Sequence, residues 1–388
     1  MIWILFFLVS FGPFTAFLIT PAFPAIAHYF AISESHAHLM ITGYLLGYAF
    51  GILLYGPIAN RIGRKKGIFV GLGLAVLGTL LCLLAPSFNF FVFGRIVQAL
   101  GTAGGFQITF TLIGDRYKGG DASRILAIVL LSFSATPGIA TSIGGYLTEN
   151  YLWKSNFIFL IGYTTFLVIL SLFLPRKEPA IDKQALSLNR ILQGYGAQFK
   201  NRFLLINAAL MGISTGIIYI FAAEAPFLAI ELMRITPAIY GYLNIIPSVG
   251  MIIGSLLLIK IAKKFSPQLI LFFAILASLT GIVAMGLLLK QGFLNEWSLF
   301  LPFAFSQIGN VIIFPVASAE VLSKMHDKSY ASSTMQFCNI GLATLLTWIV
   351  GATFSKVPIS LPIVMGVLSI IMVMLWLFLK VSGASQKE

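Results

Sequence analysis

Charge is the first thing this chain lacks. Only 10% of its 388 residues are charged, and only 12 are acidic. A soluble globular protein carries about 25% charged residues. A water-exposed surface cannot be covered at this density, which excludes a soluble enzyme and a disordered protein. The two cysteines, Cys82 and Cys338, both lie in apolar runs and carry no information on redox compartment. No cluster with metal-ligand spacing and no phosphate-binding loop is present, so no metal or other cofactor is expected. The run Gly212-Ile213-Ser214-Thr215-Gly216 fits a nucleophile elbow on paper, but it sits in an apolar stretch with no strand before it. The chain does not read as an enzyme.

Apolar residues, by contrast, make up 59% of the chain, and mean hydropathy is +0.96. A membrane-crossing helix needs about 20 mostly apolar residues. Twelve such runs can be read: 3–27, 38–59, 68–86, 89–113, 125–147, 155–175, 204–227, 239–261, 268–289, 297–319, 332–354 and 360–380. Barrel strands would be half as long and would alternate strictly. Ala25-Ile26-Ala27 resembles a signal-peptide cleavage site, but no basic residue precedes the first run, and that run is too long. It reads as a span.

The net charge of +13 implies a nucleic-acid partner only if the bases share one solvated face. Here they fill short gaps between apolar runs, where Lys and Arg set orientation. With the N-terminus taken as cytoplasmic, 20 of the 25 fall on the cytoplasmic side. Four fall outside, and Arg95 lies within a run. Both termini are therefore expected in the cytoplasm, and the partners are a lipid bilayer and a small molecule rather than nucleic acid.

The longest polar stretch separates the sixth and seventh runs, with six bases against two acids between Pro175 and Arg202. It divides the chain into a six-helix half at 1–175, a cytoplasmic linker at 176–203 and a second six-helix half at 204–388. The halves look alike. A shift of 203 places Gly47, Gly51, Leu53, Leu54 and Ala59 on Gly250, Gly254, Leu256, Leu257 and Ala262. Duplicated halves around a midplane site are a recurring transporter design.

Between the second and third runs lies Gly56-Pro57-Ile58-Ala59-Asn60-Arg61-Ile62-Gly63-Arg64-Lys65-Lys66. This resembles the signature loop of the major facilitator superfamily, with Asn60 in place of its acid. The resemblance implies a conformational clamp of Gly56, Asn60, Arg61, Gly63 and Arg64 with Asp115, which follows the fourth run. That run carries Gly94-Arg95-Ile96-Val97-Gln98, similar to the family's Arg-x-x-Gln-Gly motif, whose arginine is tied to proton movement in relatives. A charge at membrane depth must face the bundle interior and find partners. A structural arginine holding neighbouring carbonyls remains an equal reading.

The fifth run carries Pro137-Gly138 and Gly144-Gly145, which resemble the antiporter motif of drug exporters. Proline bends a helix, and glycine lets a neighbour approach. Pro21-Ala22-Phe23-Pro24 and Phe221–Phe227 extend the likeness to the Bcr/CflA-type drug-resistance transporters. Those relatives have an aspartate in the first helix. Here that position falls at about Phe17, and the first run contains no acid.

A proton site must then lie elsewhere. Glu224 in the seventh run is the best-placed carboxyl, since acids at membrane depth serve as proton carriers; a solvated acid at the outer interface is an equal reading. Arg95 is its expected helper from the other half. The histidines offer little: His28, His36 and His38 flank the first outer loop, and His326 is cytoplasmic. Gln98, Asn244, Gln307 and Asn310 with Phe17 are expected to line an aromatic cavity for amphipathic ligands.

The expected fold is an all-α membrane protein of twelve transmembrane helices in two pseudo-symmetric halves, the major facilitator fold. The expected function is proton-coupled efflux of drug-like small molecules by a monomer in a bacterial inner membrane. A metabolite uptake permease and a non-transporting sensor or scaffold remain as alternatives.

Overall fold

The computed structural model describes residues 2–117, 119–175, 182, 184–325, 327–353 and 357–384. Every regular element among them is helical. The first six long helices are α1 (Ile2–Tyr29), α2 (Glu34–Ile62), α3 (Arg64–Leu83), α4 (Phe88–Arg116), α5 (Gly119–Tyr151) and α6 (Ser155–Leu172). The second six are α7 (Arg202–Leu232), α8 (Pro237–Ile261), α9 (Pro267–Lys290), α10 (Glu296–Lys324), α11 (Lys328–Thr353) and α12 (Ser360–Ala384). Each overlaps one of the twelve apolar runs. Eleven contain described stretches long and apolar enough to cross a membrane. The other, α5, is a 33-residue helix, several of whose side chains near Arg124 lie outside the described residues. So do Lys118, Arg176, Lys177, Lys183, His326, Lys356 and Lys387, and the side chain of Arg190.

Helix ends follow local chemistry. Asn201, Thr236 and Ser266 each accept a backbone N–H three residues on, satisfying donors that a helix start leaves free. Gly63 joins α2 to α3 at φ +97°, a conformation that side chains with a Cβ rarely adopt. Between the halves, the polar segment forms a short helix, Leu188–Phe199.

The pairing of helices repeats from one half to the other. In the first half, α3 packs on α4, α2 on α4, and α1 on α5; in the second, α9 packs on α10, α8 on α10, and α7 on α11. Glycine makes the equivalent approaches possible. A side chain at Gly47 would collide with the Ile96 carbonyl of α4, and one at Gly250 with the Ala304 carbonyl of α10. Lipid removes any hydrophobic drive between helices, so close backbone packing and hydrogen bonds hold such bundles together. One apolar core is built mainly from residues 4–174 and another from residues 210–379. The halves meet along two symmetry-related seams, α2 with α11 and α5 with α8.

Candidate functional site

The α2–α3 turn marks one end of the bundle, here termed the basic end. Arg64, the first residue of α3, is folded inward by the Gly63 turn. Its Nε donates to Asp115 Oδ2 at 3.0 Å, and its Nη1 donates to Asn60 Oδ1. Lys65 Nζ donates to the carbonyls of Leu172 and Leu174 at 2.6 and 3.0 Å, tying the turn to the end of α6. The expected clamp residues thus meet, with one difference. Arg61 is exposed, and the ion pair of Asp115 runs to Arg64. Local geometry accounts for this, because the Gly63 turn ends α2 and folds Arg64 back onto Asn60. Gly56 has ordinary contact distance to spare, 3.9 Å from a notional Cβ to Ser333 Oγ. At this end the halves are bridged by Gln107 Nε2 to Ser333 Oγ at 3.0 Å. Tyr195 of the linker helix donates to the Leu53 carbonyl at 3.0 Å. Burial pushes the Tyr195 phenol up to about 12, so it stays a donor.

Arg95 is fully buried. Its guanidinium donates to Gln98 Oε1, to the Met40 carbonyl at 3.3 Å and to the Thr15 carbonyl at 3.5 Å. It also lies 4.2 Å from the centre of the Tyr44 ring, a favourable cation–π distance. Gln98 Nε2 passes the chain on to Thr79 Oγ1 at 2.8 Å. These contacts tie α1, α2, α3 and α4 together, with Arg95 Nη2 left without a hydrogen-bond partner. Arg95 takes the structural arrangement that the sequence reading held open, while Gln98 is taken up by Arg95 and Thr79 and is not on the cavity wall. The partners of Arg95 all come from the first half, and Glu224 is not among them.

The proline–glycine helix α5 forms a seam with α8. Ser248 Oγ accepts from the Gly138 N–H at 2.7 Å, Ser142 Oγ donates to the Gly241 carbonyl at 3.1 Å, and Ser134 meets Ser255 at 3.0 Å. A side chain at Gly144 would strike the Leu18 carbonyl of α1, and one at Gly145 the Pro237 carbonyl of α8. Glu149 Oε2 accepts from the Ala238 N–H at 2.9 Å, at the start of α8.

Between the halves lies a cavity of about 100 Å³. One part of its wall is aromatic: Phe17, Tyr48, Phe106, Phe133 and Tyr219. Another is hydroxyl and amide: Ser214, Ser255, Asn310, Gln336 and Asn339. Among the described residues, no lining side chain is charged. Pro137 of α5 is also on the wall. Phe17 stacks on Tyr219 across the halves, with ring centres 5.4 Å apart. A smaller adjoining pocket shares Phe17 and Pro137 and is lined by Asn244 and Gln307.

Glu224 lies beyond this cavity, two residues after Ala222 of the adjoining pocket, and is 1% exposed. Its carboxyl meets His38 Nε2 at 2.9 Å, and His38 is buried too. His38 begins the apolar part of α2, so the contact joins the two halves at the end opposite the basic one. The ring fits because α11 offers Gly351 there; a Cβ would stand 2.6 Å from the His38 Cβ and Cγ. Ser35 Oγ donates to the Gly351 carbonyl at 2.6 Å, and His28 meets Glu231 at 3.2 Å nearby. Sequence reasoning passed over His38 as a loop-flanking residue. The available signal was that a carboxyl buried in a span requires a partner.

A model of the Major Facilitator Superfamily matches residues 3–346. An uncharacterized transporter of Rickettsia felis is 30% identical over 68% of this chain and 64% of its own length, and one of Rickettsia bellii is 29% identical over 68% and 65%. The chain thus spans a little under two thirds of these two relatives. Multidrug resistance protein D of Escherichia coli is 23% identical over 95% of this chain and 93% of its own. Among solved structures, the xylose transporter XylE of E. coli, in a partially occluded inward-open conformation, superposes with a TM-score of 0.78. That match covers 98% of this chain and 96% of XylE at 14% identity.

Proposed function

Because the chain belongs to the major facilitator superfamily, we propose that it is a secondary transporter working by alternating access, exporting amphipathic small molecules in exchange for protons. The observation that carries this reading is the buried contact of Glu224 with His38 across the halves. A carboxylate and a neutral imidazole buried together leave one uncompensated charge in apolar surroundings, which is costly. One added proton makes the pair neutral, whichever group holds it. Closing this end of the bundle therefore takes up a proton. Opening it exposes both groups to water, where they exchange freely. Titratable groups at this end include Glu34, His36, Glu149, Lys154, Arg234 and the pair His28–Glu231.

The cavity is the substrate site in this account, and the α5–α8 and α2–α11 seams are the surfaces that separate in turn. The Arg64 contacts hold the α2–α3 turn to Asp115 of α4 while that movement occurs. We place the halves at 1–175 and 204–388, with both termini and the linker in the cytoplasm of a bacterium and the chain acting as a monomer in the inner membrane. Drug efflux is favoured over uptake by the multidrug-resistance relative that matches nearly the whole chain. The test is accumulation of a fluorescent dye panel in cells with and without the protein. Lower accumulation that disappears with an uncoupler supports export; higher accumulation supports the uptake permease.

A further inference from the structure

We propose that the second half holds one anionic phospholipid, its acyl chain in a groove between α8 and α9 and its phosphate against Lys260, Lys263 and Lys264. The site lies within one half and does not rest on the transport reading. Lipid covers every outer face of a membrane protein. A recess lined by apolar side chains and three lysines without partners single this face out.

The groove, of about 400 Å³, follows from how three helices pack. α8 and α9 each pack on α10 but scarcely meet one another. Leu257, Ile261 and Phe265 form one wall, and Leu269, Phe273 and Ala277 the other. Both sets recur every four residues, so each wall is one side of its helix. The Phe265 N–H still bonds to the Ile261 carbonyl at 3.2 Å, which keeps Phe265 on the α8 wall. Behind the walls the residues are small. A Cβ at Gly309 would stand 2.1 Å from the Ala274 carbonyl, so α9 and α10 touch by their backbones and the surface is recessed there. Leu269 to Ala277 spans about 12 Å at 1.5 Å per residue. The hydrocarbon of one leaflet is about 15 Å deep, so the recess takes most of an acyl chain.

Charge selects which lipid. Lys260 lies in the last turn of α8, and Lys263 and Lys264 stand in the turn to α9. Lys260 and Lys264 directly precede Ile261 and Phe265 of the wall. All three lysines are exposed, and among the described residues none of their ammonium groups has a hydrogen bond or ion pair. The acid at this end of α10, Glu320, is already taken. Gln268 donates to its two oxygens at 3.0 and 3.1 Å, and Lys324 lies 3.8 Å away. α9 begins at Pro267, so the positive end of its dipole adds to the lysines. Lysine stems lie along apolar surface while their ammonium groups reach the headgroup level. The matching turn of the first half is built differently. There Arg64 and Lys65 are bound inside the protein, and α2 packs on α3.

Site-specific quenching by brominated lipids tests this on the full chain in phosphatidylcholine vesicles, in a Cys82→Ser, Cys338→Ser background. A bimane label on Leu256→Cys reports lipid at the groove. One on Val70→Cys reports lipid on α3, on the same half-turn side of the bilayer as the exposed Arg61 and Lys66. Brominated phosphatidylglycerol is expected to be preferred over brominated phosphatidylcholine at least about tenfold at Leu256 and less than about threefold at Val70. Lys260→Gln, Lys263→Gln and Lys264→Gln together are expected to bring the Leu256 preference close to one. Quenching by brominated phosphatidylcholine should not change, which a misfolded chain would not show. Ala277→Phe fills the groove and is expected to lower quenching by both lipids at Leu256 and by neither at Val70. Glycerol 3-phosphate, which carries the phosphate without acyl chains, should leave the preference intact. The inference is overturned by a preference no larger at Leu256 than at Val70, or by one that survives loss of the three lysines. Indifference to Ala277→Phe, or displacement by glycerol 3-phosphate, overturns it equally.

Discussion

His38 and Glu224, 186 positions apart in sequence, meet at 2.9 Å with both side chains almost wholly buried. One comes from each half, so the contact exists only while that end of the bundle is closed. In the proposed exchange, this contact is the element that couples a proton count to a conformation. Gly351 provides the space for the ring.

Gly351→Ala therefore tests the latch without touching either titratable group. The added methyl must displace His38. Spin labels at the exposed positions Tyr29 and Leu232, in a Cys82→Ser, Cys338→Ser background, report the separation at this end. The expected result is a longer mean distance than in the parent. An unchanged distance distribution would show that His38 does not hold this end shut.

The turn at the basic end gives a paired prediction. Arg64 has one carboxylate, Asp115, and one amide, Asn60. Asp115→Asn should destabilise the protein by up to about 1 kcal/mol, because the pair is partly exposed and screened. Adding Asn60→Asp should restore most of the loss by returning a carboxylate to Arg64. Thermal unfolding in detergent measures both. Absence of rescue would separate Asn60 from the clamp.

Arg95 is expected to matter for stability rather than for coupling. Arg95→Leu leaves Gln98 Oε1 and two carbonyls short of a donor, costing about 1–3 kcal/mol for each unsatisfied group. Transport by the surviving folded fraction should keep its pH profile, since the partners of Arg95 do not include Glu224. A displaced pH profile would return Arg95 to the proton path.

Much of this architecture was legible in the sequence because lipid imposes it. A backbone crossing a bilayer must satisfy itself as a helix, so twelve apolar runs sufficed to place α1 to α12. Asn60 and Arg64 were legible because the Gly63 turn folds the start of α3 back onto the end of α2, whereas Asp115 of α4 was legible only through the family resemblance. Pro137, Gly138, Gly144 and Gly145 were legible as close-packing residues, and α5 does pack by its backbone. His38 was not legible. Its partner lies in the other half, and only tertiary packing moves a loop-flanking imidazole into the interior. Gln98 was misplaced for the opposite reason. Its partner Arg95 lies three residues away on the same helix, so local geometry had already taken the amide that was assigned to the cavity.

Glu224 is the group on which the proposed exchange depends most directly. Purified chain in proteoliposomes, loaded with an uncharged fluorescent substrate and given an imposed pH gradient, reports coupled transport. For Glu224→Gln the expected result is retained substrate binding and gradient-independent movement, because glutamine keeps hydrogen-bonding capacity and cannot titrate. The parent should accelerate as the gradient steepens, and His38→Gln should flatten that response in the same way. A Glu224→Gln protein whose transport follows the proton gradient as the parent's does would contradict the central claim and move the coupling away from this pair.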